Sequence, residues 1–289
     1  MQPRSDLRLE AAIHAVGAWR GRHVGITPIS VDLDERHFLI EVDGELFVLR
    51  MSDVRHGNDL AAEVEVARAA AAAGVAPEVL EFLPQLGCLV TRFAEGHRLT
   101  PGGAEDSPVL ASVVGSVRAL HACPLPSTER SVFREAEELR RTAIAHDLAM
   151  PRSERGATAA MRRIEQAGAA RGHPVVTCHG NLTGSSLFLD EDHVWIVDLR
   201  WAGAGDPFED LGSIATHLEL TDEGCDSMLA LYFGAATDDR RSDLVRARAA
   251  ADYLRAMRDL TRAGGTPDMN AASRRFVSVA EASLRADVV

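Results

Sequence analysis

The chain has 289 residues, 46% of them apolar, and a formal net charge of −12, so it is long enough for one large or two modest domains with a buried core. The acidic balance argues against a nucleic-acid-binding surface and against binding to an anionic membrane, while it would suit a cationic small molecule. No long apolar run and no signal-peptide pattern occurs, which predicts a cytoplasmic protein.

Neither cysteine nor histidine spacing indicates a metal site. The four cysteines, Cys88, Cys123, Cys178 and Cys225, contain no C-x-x-C pair, and the eleven histidines contain no H-E-x-x-H pattern. Zinc sites and disulfide frameworks depend on such spacings. The sequence therefore predicts buried free thiols.

The first third of the chain predicts a small antiparallel sheet with two helices. Apolar residues at helical spacing predict a helix from about Leu7 to Trp19. Asp43 and Gly44 form the favoured dipeptide for a two-residue hairpin turn. A second helix is predicted from Asp59 to Gly74. Strands are predicted at 24–30, 37–43, 45–51, 79–82 and 87–93.

Beyond Gly96, a polar segment with several Gly and Pro residues leads into a mostly helical region. Helices are predicted at 108–122, 131–148, 154–171, 208–218, 223–235, 238–262 and 268–286. Short strands are predicted at 174–178, 186–189 and 194–199. We therefore predict an α+β chain with a strand-rich domain over residues 1–95 and a helical domain over residues 96–289.

The stretch from Thr177 to Gly212, TCHGNLTGSSLFLDEDHVWIVDLRWAGAGDPFEDLG, joins an H-G-x-L loop to an I-V-D sequence. With the preceding GVAPEVLEF and CLVTRF segments, this ordered set resembles the bacterial choline/ethanolamine kinases and aminoglycoside phosphotransferases over nearly the whole chain. The resemblance implies the bilobal protein-kinase-like fold, with a small antiparallel sheet lobe and a larger helical lobe. It also implies an enzyme that positions ATP, Mg²⁺ and an acceptor hydroxyl.

Two positions depart from the family's loop, H-x-D-L-x-x-x-N. Asn181 stands where the resemblance places the Asp that takes the hydroxyl proton, and Ser186 stands where it places a metal-binding Asn. An amide cannot accept that proton, and a positioned base contributes about 10²–10⁴ in rate. Ser186 would be a weaker Mg²⁺ ligand. Asp198 matches the family's catalytic, metal-binding Asp, although it can also be read as an ordinary Asp at a strand end.

The turn between the first two strands is a second departure. The family has a Gly-Gly-x-Thr-Asn turn that contacts phosphates, whereas this chain has Val31–Glu35, VDLDE. Three acids near a polyanion would repel ATP, since a like charge at 4 Å costs about 1–4 kcal/mol. A shifted alignment, or acids that face water, is the alternative.

Arg50, on the third strand, stands where the resemblance implies a phosphate-contacting cation, and Glu63 on the next helix would be its ion-pair partner. These two residues are either nucleotide-binding residues or a structural pair that joins the helix to the sheet.

The acceptor side also differs from the family. Choline-kinase-like members follow the metal-binding Asp with an aromatic, an acid and an aromatic residue, which suits a quaternary ammonium. Here Arg200 and Trp201 are the substrate-pocket candidates, so the acid has become a cation. The structural residues implied by the resemblance are His179, Asp206 and Asp210.

Three functions follow as hypotheses. In the first, phosphoryl transfer is lost or strongly impaired and the chain is a pseudokinase-like binding or regulatory protein for a small-molecule ligand or a protein partner, with no required cofactor. In the second, it is an active Mg-ATP-dependent phosphotransferase on a small alcohol or amine. In the third, the acids near residues 32–35 serve other chemistry on a cationic substrate.

Overall fold

Five antiparallel strands form the sheet of the N-terminal lobe, in the order β1-β2-β3-β5-β4. The computed structural model describes residues 3–31, 35–52, 57–104, 107–262 and 267–285. The strands are β1 (Val24–Val31), β2 (Glu35–Val42), β3 (Glu45–Ser52), β4 (Val79–Leu83) and β5 (Cys88–Arg92). The predicted five-stranded antiparallel sheet is confirmed.

The hairpin between β2 and β3 turns at Asp43 and Gly44, as predicted. Both residues have a positive φ, of 53° and 85°, which the favoured two-residue hairpin turn requires. The turn sets a register in which buried apolar residues face each other across the two strands. These cross-strand pairs are Phe38 with Leu49 and Ile40 with Phe47.

The first helix starts and ends about four residues earlier than predicted. Helix α1 covers Pro3–Ala15, and a separate 3-10 turn covers Gly17–Trp19. Val16 between them has an extended backbone, with φ −70° and ψ 106°. The predicted continuous helix to Trp19 was therefore wrong. Trp19 is instead buried against the sheet, where its ring centroid lies 5.6 Å from that of Phe47.

The helical lobe follows the predicted order of elements. Its helices are α3 (Ser107–His121), α4 (Val132–Ala145), α5 (Glu154–Arg171), α6 (Pro207–His217), α7 (Asp222–Phe233), α8 (Asp238–Thr261) and α9 (Met269–Arg285). Each predicted helix is confirmed, with ends that shift by a few residues. None of the helices in the described ranges is both long and apolar enough to span a bilayer.

Five short strands lie within this lobe. The pair β7 (Val176–Cys178) and β10 (Gly203–Gly205) forms one sheet. A second sheet has the order β6-β8-β9, with β6 (His97–Arg98), β8 (Leu187–Asp190) and β9 (His193–Ile196). Strands β6 and β10 were not predicted, because two or three residues carry too little periodicity. The predicted strand 194–199 ends early, since Asp198 has a left-handed backbone with φ 64°.

Helix α2 (Gly57–Ala72) connects the two lobes. Its side chains Val66, Ala67 and Ala70 are buried in the same apolar cluster as residues of α3, α6 and β9. Just after the helix, the Val75 carbonyl accepts a hydrogen bond of 2.8 Å from the N–H of Ile196 in β9. The sheet lobe is thereby packed against the loop that follows β9.

Helices α6 and α8 approach each other closely at a glycine. A Cβ added to Gly212 of α6 would lie 2.5 Å from the backbone carbonyl carbon of Ala247 in α8. A side chain at this position would separate the two helices. Both helices also contribute residues to the lining of the cavity described below.

We predict that Gly212→Ala destabilises the fold by about 1–3 kcal/mol, because the added methyl group overpacks the α6–α8 contact. The matched control is Gly115→Ala in α3, where an added Cβ meets nothing within 4 Å. The control should gain about 0.5–1 kcal/mol from helix propensity. Urea unfolding midpoints check both values. Equal effects of the two substitutions would contradict the close approach.

Candidate functional site

The loop after β7 is held by the buried carboxylate of Asp210. Its oxygens accept hydrogen bonds from the backbone N–H of His179 at 2.7 Å and of Gly180 at 2.9 Å. The ring of His121 lies 3.0 Å from the same carboxylate. Burial alone would raise the pKa of Asp210, but the hydrogen bond and charge of His121, together with His179, hold it below its usual value.

His179 connects this loop to the segment after β9. Its Nε2 lies 2.9 Å from the carbonyl oxygen of Val197 and donates to it. Its Nδ1 accepts a hydrogen bond of 3.2 Å from the backbone N–H of Asn181. In these contacts one ring nitrogen is the donor and the other is the acceptor. The residues predicted as structural, His179 and Asp210, are thus brought together beneath Asn181.

Asp206 lies at the start of α6 as its N-cap. Its side chain accepts a hydrogen bond of 2.9 Å from the N–H of Phe208, and His173 lies 2.8 Å from its other oxygen. An N-cap satisfies backbone N–H groups that have no partner inside the helix. This contact anchors the helix that carries Asp210.

Asp198 faces an arginine from its own turn. Arg200 donates a hydrogen bond of 3.1 Å from Nη2 to Oδ2 of Asp198. Its Nε lies 3.0 Å from Oδ1 of Asp198, where the charges attract but the geometry is not that of a hydrogen bond. Both side chains are about 30% exposed, at 33% and 27%. The predicted metal-binding carboxylate is therefore neutralised by the residue two positions later.

Asn181 is held by a second arginine. Arg258 of α8 donates a hydrogen bond from NH1 to Oδ1 of Asn181, and its other nitrogens donate to Glu135 at 2.6 and 2.9 Å. The guanidinium also lies 4.8 Å from the ring centroid of Trp201. Burial lowers the pKa of Arg258, and Glu135 opposes that shift. The amide oxygen at the position of the family's proton acceptor is therefore already engaged.

Trp201 lies close to three cations. The guanidinium of Arg130 lies 5.0 Å and that of Arg200 5.8 Å from its ring centroid, in addition to that of Arg258. Arg130 is itself paired with Glu135 at 2.9 Å. The aromatic ring predicted to line the substrate pocket is thus engaged by protein cations.

A cavity of about 570 Å³ opens beside Asn181 and Asp198. Its wall combines apolar side chains with an excess of positive charge. The charged lining residues are Arg98, Arg200, Arg255, Arg258, Arg262, Asp198, Glu209 and Asp259. The size is that of a small-molecule site.

Two titratable groups in this wall are uncharged at neutral pH. Burial, together with the neighbouring acids Asp210 and Asp206, raises the pKa of Glu209 to about 8. Burial, together with Arg255, lowers the pKa of His217 to about 4. The net positive charge of the cavity wall is therefore larger than the numbers of arginines and acids in it suggest.

A family model described as APH, phosphotransferase enzyme family, matches residues 25–249. The chain belongs to this phosphotransferase family. No curated protein in the comparison matches the chain.

Solved structures share the fold over nearly the full length. A choline/ethanolamine kinase family protein from Mesorhizobium loti is 21% identical, with 98% of both chains covered and a TM-score of 0.78. Choline kinase LicA from Streptococcus pneumoniae is 11% identical over 98% of this chain and 100% of its own, with a TM-score of 0.76, and LicA is also known in complex with AMP. Spectinomycin phosphotransferase APH(9)-Ia, in complex with ADP and spectinomycin, is 12% identical over 95% and 98%, with a TM-score of 0.60. The predicted resemblance and the bilobal kinase-like fold are confirmed.

The predicted metal ligands do not fit Mg²⁺ as they are arranged. Magnesium is bound by one or two carboxylates together with phosphates and water. The one carboxylate among the predicted ligands, Asp198, is paired with Arg200. Ser186 is buried, and its hydroxyl lies 3.4 Å from that of Thr183.

A different group of residues has the spacing of a metal site. Among the described residues, His121, Cys178 and Asp210 place their ligand atoms within 4.8 Å of one another. Burial and then the charge of Asp210 raise the pKa of the Cys178 thiol well above its usual value, so the thiolate ligand is disfavoured. Asp210 is also saturated by the loop N–H groups. This cluster is structural.

On the nucleotide side, Arg50 of β3 and Glu63 of α2 form a buried ion pair. Arg50 also donates to the hydroxyl of Ser52 at 3.1 Å. The structure therefore brings the predicted pair together. The predicted acidic turn falls on Asp32–Asp34, which lie outside the described residues, and the side chains of Val31 and Glu35 lie outside them as well.

The sequence interpretation missed the arginines of α8. Arg255 and Arg258 stand at i and i+3, which places them on one face of α8, and Arg262 follows the helix as its C-cap. That spacing in YLRAMRDLTR is a signal that was available. It marks a cationic helix face, but it does not say which part of the fold the face contacts.

We predict that Glu209→Gln changes the pH dependence of stability. Because the pKa of Glu209 is raised from 4.5 to about 8 in the folded state, the folded chain binds more protons than the unfolded chain between these values. The wild-type free energy of unfolding should therefore fall relative to the variant as pH rises through this window, by a few kcal/mol, since one pKa unit corresponds to about 1.4 kcal/mol.

Urea unfolding of both proteins at a series of pH values measures this difference. His217 also makes stability depend on pH, because its lowered pKa makes the free energy of unfolding rise with pH below pH 6.5. This contribution is the same in both proteins, so it cancels in the difference between them. A difference between the two proteins that does not change with pH would show that Glu209 ionises normally.

Proposed function

We propose that this member of the phosphotransferase family has lost, or strongly reduced, ATP-dependent phosphoryl transfer and acts by binding a small molecule. The observation that carries the proposal is the pair of guanidinium contacts at the two chemical positions. Arg200 lies on Asp198, and Arg258 donates to Asn181.

The first contact opposes metal binding. The guanidinium of Arg200 makes one hydrogen bond to the carboxylate and places a second nitrogen 3.0 Å from its other oxygen. Charge-assisted contacts of this kind are stronger than neutral hydrogen bonds. A metal ion that binds Asp198 would have to displace the guanidinium of Arg200, which would remain close to the ion and repel it. Because both side chains are partly buried, that repulsion would be weakly screened.

The second contact opposes proton transfer. An amide has no site that takes a proton near neutral pH, and the oxygen of Asn181 already accepts a hydrogen bond from Arg258. An acceptor hydroxyl in the cavity would meet a cationic guanidinium where an active enzyme offers a base. Loss of the base alone would reduce the rate by about 10²–10⁴.

An active phosphotransferase on a small alcohol or amine is the second candidate, and one observation favours it. The buried Arg50–Glu63 ion pair is formed on the nucleotide side. The related LicA and APH(9)-Ia structures hold AMP and ADP. With Mg-ATP as cofactor, this function would require Arg200 to leave Asp198.

The third hypothesis, other chemistry on a cationic substrate, has less support. It rested on the acids near residues 32–35, where Asp32–Asp34 and the side chain of Glu35 lie outside the described residues. The described cavity wall is cationic, which would repel a positively charged substrate.

We expect purified full-length protein to transfer no phosphoryl group from Mg-ATP to choline, ethanolamine or spectinomycin above the uncatalysed rate. The combined variant Asn181→Asp, Ser186→Asn, Arg200→Gln should raise transfer, because it restores the base, the amide ligand and an unpaired Asp198. Phosphorus NMR of the acceptor and product gives the readout. Arg162→Gln, an exposed change on α5, is the matched control for the lost charge.

Wild-type turnover that Asp198→Ala abolishes would overturn the proposal in favour of the active enzyme. Micromolar affinity for Mg-ATP by calorimetry would count against it as well, because the proposed function does not require nucleotide.

A further inference from the structure

Two arginines in the cavity wall have no carboxylate partner among the described residues. Arg98, on β6, contacts the ring of Phe188 with its guanidinium 5.5 Å from the ring centroid. Arg255, on α8, places NH1 3.1 Å from Nδ1 of His217. Neither forms an ion pair in the described part of the chain, and both line the cavity.

The acids of the same wall are already compensated. Asp198 is paired with Arg200, and Asp259 is paired with Arg275 at 2.6 Å. Glu209 accepts a hydrogen bond of 3.3 Å from the N–H of Val132. Its raised pKa keeps it uncharged near neutral pH, so it does not offset the arginines.

Arg255 is also poorly solvated. Burial lowers its pKa, and the charge of nearby Arg275 acts in the same direction. The acids Asp259, Asp252 and Glu219 act in the opposite direction, but none of them forms an ion pair with Arg255 in the described part of the chain. An anion in the cavity would supply a direct counter-charge, whereas a cation would add to the repulsion.

We infer that the cavity binds a small molecule with a carboxylate or phosphate group, and that Arg98 and Arg255 contact that group. Both anions match the donor geometry of a guanidinium. The apolar wall formed by Leu99, Val132 and Leu254 would cover the rest of the ligand. The inference rests on the proposed binding function and names the class of its ligand.

The test measures binding to the full chain by calorimetry at constant ionic strength. The probes are inorganic phosphate, succinate and benzoate, with choline as the cationic control. We expect heat of binding from phosphate or from a carboxylate at millimolar concentration, and none from choline. Binding of phosphate alone or of carboxylates alone identifies the anionic group, and absence of binding by all three overturns the inference.

Two variants locate the site. Arg255→Met and Arg98→Met should each weaken anion binding about tenfold or more, a change of about 1.4 kcal/mol. Arg162→Met, on the exposed face of α5, removes the same charge outside the cavity and should leave the affinity unchanged. An equal loss in all three would mean non-specific attraction and would overturn the inference.

Circular dichroism checks that each variant is folded. If Arg255→Met fails to fold, the exposed Arg98→Met still decides the matter. Phosphoryl transfer from Mg-ATP is measured on the same preparations. Turnover refutes the proposed function, whereas absent turnover with no anion binding refutes this inference alone.

Discussion

The buried carboxylate of Asp210 is the contact on which the site depends. It accepts hydrogen bonds from two backbone N–H groups of the loop after β7 and lies 3.0 Å from the ring of His121. Removing such a carboxylate would leave buried donors unpaired, which costs far more than a surface hydrogen bond contributes. The hydrogen bond from His179 to the carbonyl oxygen of Val197 then fixes the position of the loop relative to the neighbouring Asp198. The distance between the loop and the strand end is thus set by the hydrogen bonds of Asp210 and His179.

The hydrogen bonds that hold the loop do not involve the side chains predicted to carry the chemistry, so the fold can persist when those side chains differ. The loop path requires His179 and Asp210, but it does not require a base at residue 181 or a metal ligand at residue 186. Two arginines contact these positions. Arg200, from the turn after β9, contacts Asp198, and Arg258, from α8, contacts Asn181. Structural likeness at 11–21% identity therefore establishes the fold, and the site residues decide the activity.

The charge of the whole chain and the charge of the cavity have opposite signs. The net charge of −12 suggested a cationic ligand, yet the cavity wall has more arginines than ionised acids. Electrostatic interactions are short in range at physiological ionic strength, so a ligand responds to the groups that line its cavity. Surface acids elsewhere, such as Asp226 and Asp239 paired with Arg241 and Arg171, have little influence there.

The sequence by itself determined the order of elements and the family. The Asp43-Gly44 turn, the periodicity of the long helices and the H-G-x-L loop are local features, because each depends on residues within a few positions of one another. The helix end before Trp19 was not predicted, since it depends on packing of Trp19 against Phe47.

Only the tertiary structure decided which charges meet at the site. Arg258 and Asn181 are 77 residues apart, and Arg258 and Glu135 are 123 apart. The cationic face of α8 reaches the loop because α6 and α8 pack closely at Gly212 and Ala247. The burial that keeps Glu209 protonated also arises from packing. Helical spacing shows that the arginines share a face, but long-range packing sets what that face contacts.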